Sequence, residues 1–514
     1  MIMGAATVVI AAIVVILVAY FVGKVLYTVW WWPKMIEKKL KKEGIHGEPY
    51  KLLFGNFKEM MKMSNEAKKQ PLLNHDIIPW INPFLVRLSN TYKKIFVVWA
   101  GPTPRVTVTD PKLIREVLNR YNEFHKPEAN AFIHLFVTGL ASYDGEKWDT
   151  HRKILNPAFH VEKLKRMFPA ISSCCDEMIN RWDELASKEG SCELDVADEF
   201  LNLGGDVISR AAFGSNIEEG RSIFLLQKEQ CELILASPFT LFFPALRFLP
   251  TASNRKAKYI HKKVISLIRG IIEKREDAVR RGVSDNDDIL GLLLKARNEE
   301  NAAGRGSLSR LSTDDVIEEC KEFYFAGQDT TTALLSWTLV VLSMHPEWQD
   351  KARNEVFQVI GKNKPKFDDL NQLKLMNMIF QEVLRLYPAI FLIRSTSKDT
   401  QLGDMTIPPG VQVCVPTHLV HRDPQVWGDD ALMFNPERFS EGVTKAAKEQ
   451  LYFPFGWGAR MCIGLNFGML EAKLIFAQIL QHFWFELSPS YTHAPQLILI
   501  MKPQYGAQII LHKL

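Results

Sequence analysis

A cysteine in a glycine-rich turn is the residue best suited to hold a metal ion in this sequence. Cys462 lies in the stretch FPFGWGARMCIGLNF at residues 453–467. A metal-bound thiolate needs its negative charge compensated, and backbone N–H groups near Gly458 and Gly464 can supply this. Arg460, two residues before the cysteine, is placed to meet a carboxylate of the group that carries the metal. Taken alone, a cysteine in such a turn is more often structural, so the assignment depends on other motifs.

A second unusual stretch is AGQDTTT, at residues 326–332. Glycine and β-branched residues lower helix propensity here, in the middle of an otherwise helical pattern. The hydroxyl of Thr330 can bond to a carbonyl one turn back and bend the helix. The stretch therefore indicates either a close packing contact or a functional site.

Two pairs of residues share helix faces. Glu382 and Arg385 are three apart within QEVLRLYP, and Trp148 and Arg152 are four apart. A solvated ion pair would explain the first spacing, but the apolar neighbours favour a buried pair.

The complete pattern F-x-x-G-x-R-x-C-x-G resembles the haem-binding loop of the cytochrome P450 family; it is matched at Phe455, Gly458, Arg460, Cys462 and Gly464. The resemblance implies haem b as cofactor, with Cys462 as axial ligand of its iron. It also implies that Phe455, Arg460 and Gly464 contact the haem. A thiolate ligand pushes electron density toward the distal oxygen and favours O–O cleavage.

The other motifs are similar to those of the same family. AGQDTT resembles its oxygen-activation motif, which implies that Thr330 bonds to the iron-bound oxygen or its water and that Asp329 relays protons. This favours a monooxygenase over an isomerase or dehydratase. The family's W-x-x-x-R implies that Trp148 and Arg152 contact a haem propionate, and Arg394 stands where relatives place another propionate partner. PERF implies that Arg438 joins Glu382 and Arg385 in a buried structural network.

Helices must position most of these residues. Ser312 and Thr313 with the acids after them predict a helix start, and no proline follows until Pro346. Residues 95–99 and 106–108 predict a small hairpin, and no βαβ alternation is visible. We therefore expect a mainly α fold with small β-sheets, the cytochrome P450 fold, preceded by one N-terminal transmembrane helix.

The N-terminal 23 residues carry no charge and are long enough to cross a bilayer. Three tryptophans follow, then Pro33, expected to break the helix, and a lysine cluster that should stay cytoplasmic. The predicted organisation is an anchor at 1–32, a basic, proline-containing linker at 33–50 and a haem-thiolate domain at 51–514. A cleaved signal peptide is the alternative, but the start lacks a basic n-region. We expect a single-pass protein of the endoplasmic reticulum with a cytosolic catalytic domain.

Composition excludes other classes of protein. The 514 residues carry a formal charge of +5, too mild to indicate nucleic-acid binding. The seven cysteines fit neither a zinc motif nor a small disulfide framework, which favours a reducing compartment. No flavin or nicotinamide motif is visible, so electrons should come from a separate NADPH-cytochrome P450 reductase.

Segments such as PSYTHAP resemble the plant clan that contains secologanin synthase and gibberellin- and triterpene-oxidising members. The first expectation is oxidation or ring cleavage of loganin or loganic acid; the alternatives are hydroxylation of another terpenoid and a haem-thiolate isomerase or dehydratase. Ala459 and Ala389 stand where relatives commonly have proline, and the second puts the substrate in doubt. From position alone, candidate substrate contacts are Phe132, His134, Phe325, Ile390 and Phe391.

Overall fold

The computed structural model describes residues 2–72, 74–127, 135, 138–215, 217–236, 249–282, 288–302, 311–448, 451–497 and 499–514. It is mainly helical with small sheets, as predicted. The α-helices are α1 (Ile2–Leu26), α2 (Trp32–Lys42), α3 (Phe57–Ala67), α4 (Ile78–Ile81), α5 (Pro83–Tyr92), α6 (Pro111–Asn119), α7 (Gly145–Leu155), α8 (Val161–Ala186), α9 (Val196–Val207), α10 (Ile217–Leu235), α11 (Ala252–Arg280), α12 (Ile289–Ala302), α13 (Thr313–Met344), α14 (Pro346–Val359), α15 (Lys374–Leu386), α16 (Thr417–Val420), α17 (Pro424–Trp427), α18 (Val443–Ala446) and α19 (Leu465–His482). The strands are β1 (Ile95–Ala100), β2 (Thr103–Val108), β3 (Ser191–Asp195), β4 (Leu392–Ser395), β5 (Thr400–Leu402), β6 (Met405–Ile407), β7 (Gln412–Val415), β8 (Phe483–Leu487), β9 (Pro495–Leu497), β10 (Met501–Pro503) and β11 (Gln508–Lys513).

The chain divides into two compact units. The smaller comprises Met1–Gln70, Ile78–Pro127 and Leu392–Pro416; the larger comprises Pro71–Ile77, Glu128–Phe391 and Thr417–Leu514. In the smaller unit a sheet has the strand order β1-β2-β7-β4, and β5 pairs with β6. The predicted hairpin is confirmed, with β1 antiparallel to β2 and Val97 opposite Val106.

The N-terminal helix does not end at Pro33, so the predicted break is wrong. Helix α1 continues through a π-helical turn, Tyr27–Trp31, into α2. Pro33 lies in the first turn of α2, where proline is tolerated. Its missing N–H would have bonded to the carbonyl of Val29, and the phenol of Tyr50 donates to that carbonyl instead, at 2.5 Å.

The segment after Pro33 packs within the smaller unit. Ile36, Leu40 and Ile45 are fully buried in the smaller unit. Gly410, with φ +79°, lets the turn before β7 approach α2, since a Cβ there would lie 3.1 Å from the Trp32 ring. The helix that runs from Ile10 to Lys42 contains an exposed stretch that is long and apolar enough to cross a membrane.

Helix α13 crosses the larger unit over about 48 Å at 1.5 Å per residue. Ser312 caps it: its hydroxyl accepts from the N–H of Asp315 at 3.0 Å, and the Asp315 carboxylate accepts from the Ser312 N–H at 2.9 Å. The helix ends at Met344, two residues before Pro346, so both predicted ends are confirmed. Elsewhere in this unit the strands form a β3-β11-β8 sheet and a β9-β10 pair.

Small residues bring other helices close to α13. A Cβ on Gly204 of α9 would lie 3.4 Å from the Cα of Gln328. On the other side, a Cβ on Gly468 of α19 would lie 3.6 Å from Oγ1 of Thr331. The middle of α13 is therefore held between α9 and the helix that follows the cysteine turn.

A buried group of aromatic and histidine side chains, which we call the Tyr387 cluster, lies beside α13. The Tyr387 phenol bonds to Nδ1 of His75 at 2.8 Å and to Nε2 of His493 at 3.3 Å. Nε2 of His75 bonds in turn to Nε2 of His345 at 3.0 Å. The indole of Trp337 stacks on Tyr387, with ring centroids 4.2 Å apart.

Buried histidines make the stability of the fold sensitive to acid. Burial, followed by neighbouring cations, lowers the pKa of His75 and His418 to about 3, and burial lowers that of His493 to about 4. The unfolded chain, with histidine pKa values of about 6.5, then binds more protons than the folded chain below that pH, which destabilises the fold as pH falls. Burial raises the pKa of Glu471 to about 8, which acts in the opposite direction, but one carboxyl does not offset three imidazoles.

We therefore expect the free energy of unfolding to decrease between pH 7 and pH 5. Chemical denaturation followed by circular dichroism at both pH values measures it. A His493→Gln variant should show a shallower pH dependence, because it removes one of the titrating groups. Equal stability at the two pH values would contradict the expectation.

Candidate active site

The turn before α19 folds back on itself around Cys462. The N–H of Cys462 donates to the carbonyl of Phe455 at 2.8 Å, and the N–H of Met461 donates to the carbonyl of Gly458 at 3.1 Å. Gly456 and Gly458 have φ values of +81° and +61°, a conformation that glycine adopts without strain. The glycines of the motif therefore shape the turn that presents the sulfur.

Cys462 differs from the other cysteines in its exposure. All seven cysteines lie in the described residues, and Cys462 is the only exposed one among them. Protein nevertheless surrounds it on most sides, and this burial raises the pKa of the thiol. The N–H groups of Gly464 and Leu465 and the charge of Arg152 lower that pKa and would stabilise a thiolate.

Helix α7 brings two predicted cofactor contacts to the cysteine turn. Nη1 of Arg152 donates to the carbonyl of Met461 at 2.9 Å. The guanidinium of Arg460 lies 3.8 Å from the centre of the Trp148 ring and pairs with the carboxylate of Asp144. Trp148, Arg152 and Arg460 are thus gathered beside Cys462, although some 310 residues separate the two segments.

Not all predicted residues belong to this group. Arg394 lies in β4 of the smaller unit, is buried, and donates from Nη1 to the carbonyl of Ile393 at 2.9 Å. Ile390 is exposed and Phe391 half-buried at the end of a segment of the larger unit. Phe132 and His134 lie outside the described residues. The roles of these five residues remain predictions.

The AGQDTTT stretch lies at the middle of α13, where its side chains point in different directions. The hydroxyl of Thr330 donates to the carbonyl of Ala326 at 2.7 Å and remains exposed. Gly327 allows a packing contact, because a Cβ there would lie 2.3 Å from Cδ1 of Ile208. The packing interpretation therefore holds for Gly327, whereas a role of the exposed Thr330 in the reaction stays a prediction.

Asp329 points into a cavity of about 510 Å³ in the larger unit. Its carboxylate forms an ion pair with Nζ of Lys502 on β10, at 2.7 Å. Charged and polar side chains are among those that line the cavity, together with apolar ones; they include Asp198, Asp206, Arg221, Gln227, Lys228, Glu232 and Gln328. Phe325 also lines it and packs against Ile234 and Ala257, so this predicted substrate contact faces the same cavity as Asp329.

The structure brings Glu382, Arg385 and Arg438 together in the larger unit. Both oxygens of Glu382 accept from Arg385 at 2.7 Å, and neither side chain is exposed. Nε of Arg438 lies 3.6 Å from Oε1 of Glu382, and its Nη2 pairs with Asp430 at 2.8 Å. Arg385 also donates to the carbonyls of residues 421, 431 and 433, so the network ties α15 to the segment that leads to the cysteine turn.

These residues fit a haem. The accessible sulfur, the N–H groups of Gly464 and Leu465 and the cation of Arg152 suit a thiolate ligand. A Cβ on Gly464 would lie 3.9 Å from Sγ, which leaves room on the face of a flat macrocycle. Arg152 and Arg460 would hold its carboxylates. When bound, the haem supplies the reductive activation of dioxygen, and the chain holds it, orients the substrate and moves protons.

Several contacts at the site could not be found in the sequence. Lys502 is 173 residues from Asp329, and no motif marks it. The ion pair of Arg460 with Asp144 joins residues 316 apart. An acid directly before the W-x-x-x-R helix is a weak signal, and it predicts a helix cap rather than this ion pair.

Comparison with known proteins agrees with the geometry. The family model described as Cytochrome P450 matches residues 76–511. Cytochrome P450 CYP72A616 of Paris polyphylla is 52% identical over 491 residues, 95% of each chain. Cytochrome P450 72A397 of Kalopanax septemlobus is 49% identical over 96% of this chain and 95% of its own. The 11-oxo-beta-amyrin 30-oxidase of Glycyrrhiza uralensis is 47% identical over 96% of both chains. The chain therefore belongs to the cytochrome P450 family, within the plant CYP72A clan, and is a haem b-dependent, haem-thiolate monooxygenase.

Proposed function

We propose that the enzyme oxidises a plant terpenoid, and that a triterpenoid is the first substrate to test. The observation that carries this proposal is the relative named 11-oxo-beta-amyrin 30-oxidase, which matches almost the whole chain at 47% identity. Oxidation or ring cleavage of loganin or loganic acid is the second candidate, supported by the resemblance of segments such as PSYTHAP to the plant clan that contains secologanin synthase. NADPH-cytochrome P450 reductase would supply the electrons at the endoplasmic reticulum, where the N-terminal helix would hold the enzyme.

The substrate class can be tested by binding and by product. Spectral shifts of the purified holoenzyme are titrated with triterpenoids, gibberellin-type diterpenoids and iridoid glycosides, and the compounds that bind are incubated with reductase and NADPH. Binding and oxidation of a triterpenoid support the proposal. Ring cleavage of loganin or loganic acid without triterpenoid oxidation would replace it with the second candidate.

For the proton supply, we propose that Thr330 holds a hydrogen bond at the reacting oxygen and that Asp329 passes protons to it from the cavity that Asp329 lines. The accessible hydroxyl of Thr330 and the opening of Asp329 onto that cavity support these roles. A cavity of about 510 Å³ can hold many water molecules, each of which occupies roughly 30 Å³. The ion pair with Lys502 would keep the Asp329 carboxylate directed into it.

Replacing Thr330 by valine should separate electron consumption from product formation. We expect product formation to fall of the order of 10²-fold, because a positioned proton donor contributes at least that much. NADPH consumption should continue and yield hydrogen peroxide instead. Product and peroxide are measured against NADPH consumed.

The matched control is Thr338→Val, on the same helix. Thr338 makes the same bond to a carbonyl one turn back, Leu334, at 2.7 Å, but it is fully buried. Its loss should leave the ratio of product to NADPH unchanged. If both variants change this ratio equally, a general effect on α13 explains the loss and Thr330 has no role in proton supply.

A further inference from the structure

The Tyr387 cluster has no part in the proposed reaction, and its hydrogen bonds continue to a further residue, Tyr491. Nδ1 of His493 bonds to the phenol of Tyr491 at 2.8 Å, and Tyr491 is partly exposed. Both residues belong to the PSYTHAP segment, for which the monooxygenase reaction gives no role. A continuous series of hydrogen bonds therefore joins the buried Tyr387, through His493, to a partly exposed phenol.

At its inner end the cluster contacts the helix that carries Thr330. Trp337 is seven residues after Thr330, about 10 Å along the axis of α13. Its ring lies at 16° to that of Tyr387, with the centroids 4.2 Å apart, and its Nε1 donates to the carbonyl of Met501 at 3.0 Å. Two easily oxidised side chains are thus in direct contact, and both are almost fully buried.

One assignment of protons satisfies every hydrogen bond of the cluster. Nε2–H of His75 donates to His345, and Nδ1 of His75 accepts from Tyr387. Nε2–H of His493 donates to Tyr387, and its Nδ1 accepts from Tyr491. Because burial keeps both rings neutral, each tyrosine has a hydrogen-bonded imidazole nitrogen that can take its proton. An oxidised phenol is a strong acid, so a base in contact makes oxidation of a tyrosine much easier.

Tyr324, a buried tyrosine on α13, has no hydrogen-bonded imidazole among the residues that the structure describes. Tyr324 stacks on Phe213 with centroids 4.4 Å apart, but its phenol bonds to the hydroxyl of Ser215 at 3.0 Å. A serine hydroxyl is not a base at neutral pH. Burial and stacking are therefore shared by the two tyrosines, whereas a proton acceptor for the phenol distinguishes Tyr387.

We propose that Trp337, Tyr387 and Tyr491 form an electron-transfer chain that removes oxidising equivalents from the haem site when dioxygen is reduced but no substrate is oxidised. The proposal rests on the haem-thiolate oxygen chemistry of the family and not on which terpenoid is the substrate. The chain would protect the protein around the haem from oxidative damage, and its terminal reductant is a soluble thiol.

Electrons and protons balance at each step. When the oxidised site takes one electron from Trp337, it takes up one proton from solvent. Tyr387 returns an electron to Trp337, and its proton passes to Nδ1 of His75. Tyr491 then reduces Tyr387, which recovers its proton from His75, while the proton of Tyr491 passes to Nδ1 of His493. A thiol reduces Tyr491, which recovers its proton from His493, and the thiol proton leaves to solvent. Two passes oxidise two thiols to one disulfide.

The test detects the radical rather than the product. Substrate-free, full-length holoenzyme is mixed with m-chloroperoxybenzoic acid, freeze-quenched, and examined by electron paramagnetic resonance, with the signal scaled to haem content. We expect a tyrosyl signal in the wild type, loss of most of it in Tyr387→Phe, and no change in the Tyr324→Phe control. An undiminished tyrosyl signal in Tyr387→Phe, or none in the wild type, overturns the proposal.

A second variant decides the matter even if Tyr387→Phe does not bind haem. Tyr491→Phe leaves Tyr387 intact, so the radical should form but should persist when glutathione is added, whereas in the wild type glutathione removes it. If glutathione removes the radical equally fast in Tyr491→Phe and in the wild type, the proposed electron-transfer chain is wrong. No terpenoid is present in either radical experiment, so an enzyme that fails to oxidise terpenoids could still give the expected radical signals. Conversely, absence of the radical signals would not contradict the proposed oxidation of a terpenoid.

Discussion

Replacing Cys462 by serine will remove the absorption band typical of sulfur-ligated iron from the reduced, carbon monoxide-bound protein, and turnover will fall to background. The sulfur is the one exposed thiol of the chain, at the start of α19, with two backbone N–H groups and Arg152 arranged to stabilise its anion. A serine hydroxyl does not ionise at neutral pH and cannot supply the electron density that favours O–O cleavage.

The control for this substitution is Cys192→Ser. Cys192 is also partly accessible, but it lies in β3, far from the turn in sequence. Its loss should leave the absorption band and the turnover unchanged. An unaltered spectrum and activity in Cys462→Ser would refute ligation by this sulfur, whatever the comparisons with relatives indicate.

Replacing Glu382 by glutamine is expected to prevent accumulation of folded, haem-containing protein. The guanidinium of Arg385 is completely buried, and Glu382 is its carboxylate partner. Removing one member of such a pair leaves an uncompensated buried charge and costs about 3–5 kcal/mol. Whole proteins are stable by about 5–15 kcal/mol, so this single change removes a large part of the total.

The comparison that isolates burial is Glu441→Gln. Glu441 pairs with Lys445 at 3.5 Å, but their side chains are 72% and 69% exposed, and such an exposed pair contributes about 0.2–1 kcal/mol. Yield of haem-containing protein and the midpoint of chemical denaturation are measured for both variants. If Glu382→Gln were as stable as Glu441→Gln, the network would not hold the fold.

The sequence predicts those parts of the fold that depend on neighbours along the chain. Ser312 and Pro346 mark the ends of α13, because a cap and a proline act within one turn. Glu382 and Arg385 meet because residues three apart share a helix face. The hairpin of β1 and β2 follows from two β-type runs around a short turn.

Contacts between distant segments were not predictable in this way. Lys502 reaches Asp329 only because β10 lies against α13, and nothing near Lys502 in the sequence indicates that. The same holds for the bond of His75 with Tyr387, which joins residues 312 apart. The predicted helix break at Pro33 was wrong because the Tyr50 phenol donates to the Val29 carbonyl, which the N–H of a residue other than proline would have used. This too is a contact between separate segments.

That replacement of a backbone donor by the Tyr50 phenol has a mechanical consequence. The helix runs without interruption from the apolar residues into α2, which is packed in the smaller unit, so no flexible segment separates the apolar residues from that unit. If the apolar residues cross a bilayer, the tilt of this helix is transmitted to the smaller unit, and one residue inserted into Tyr27–Trp31 would rotate that unit by roughly 100° about the helix axis. The register of this short turn, rather than the length of a tether, would then set which way the smaller unit faces along a membrane.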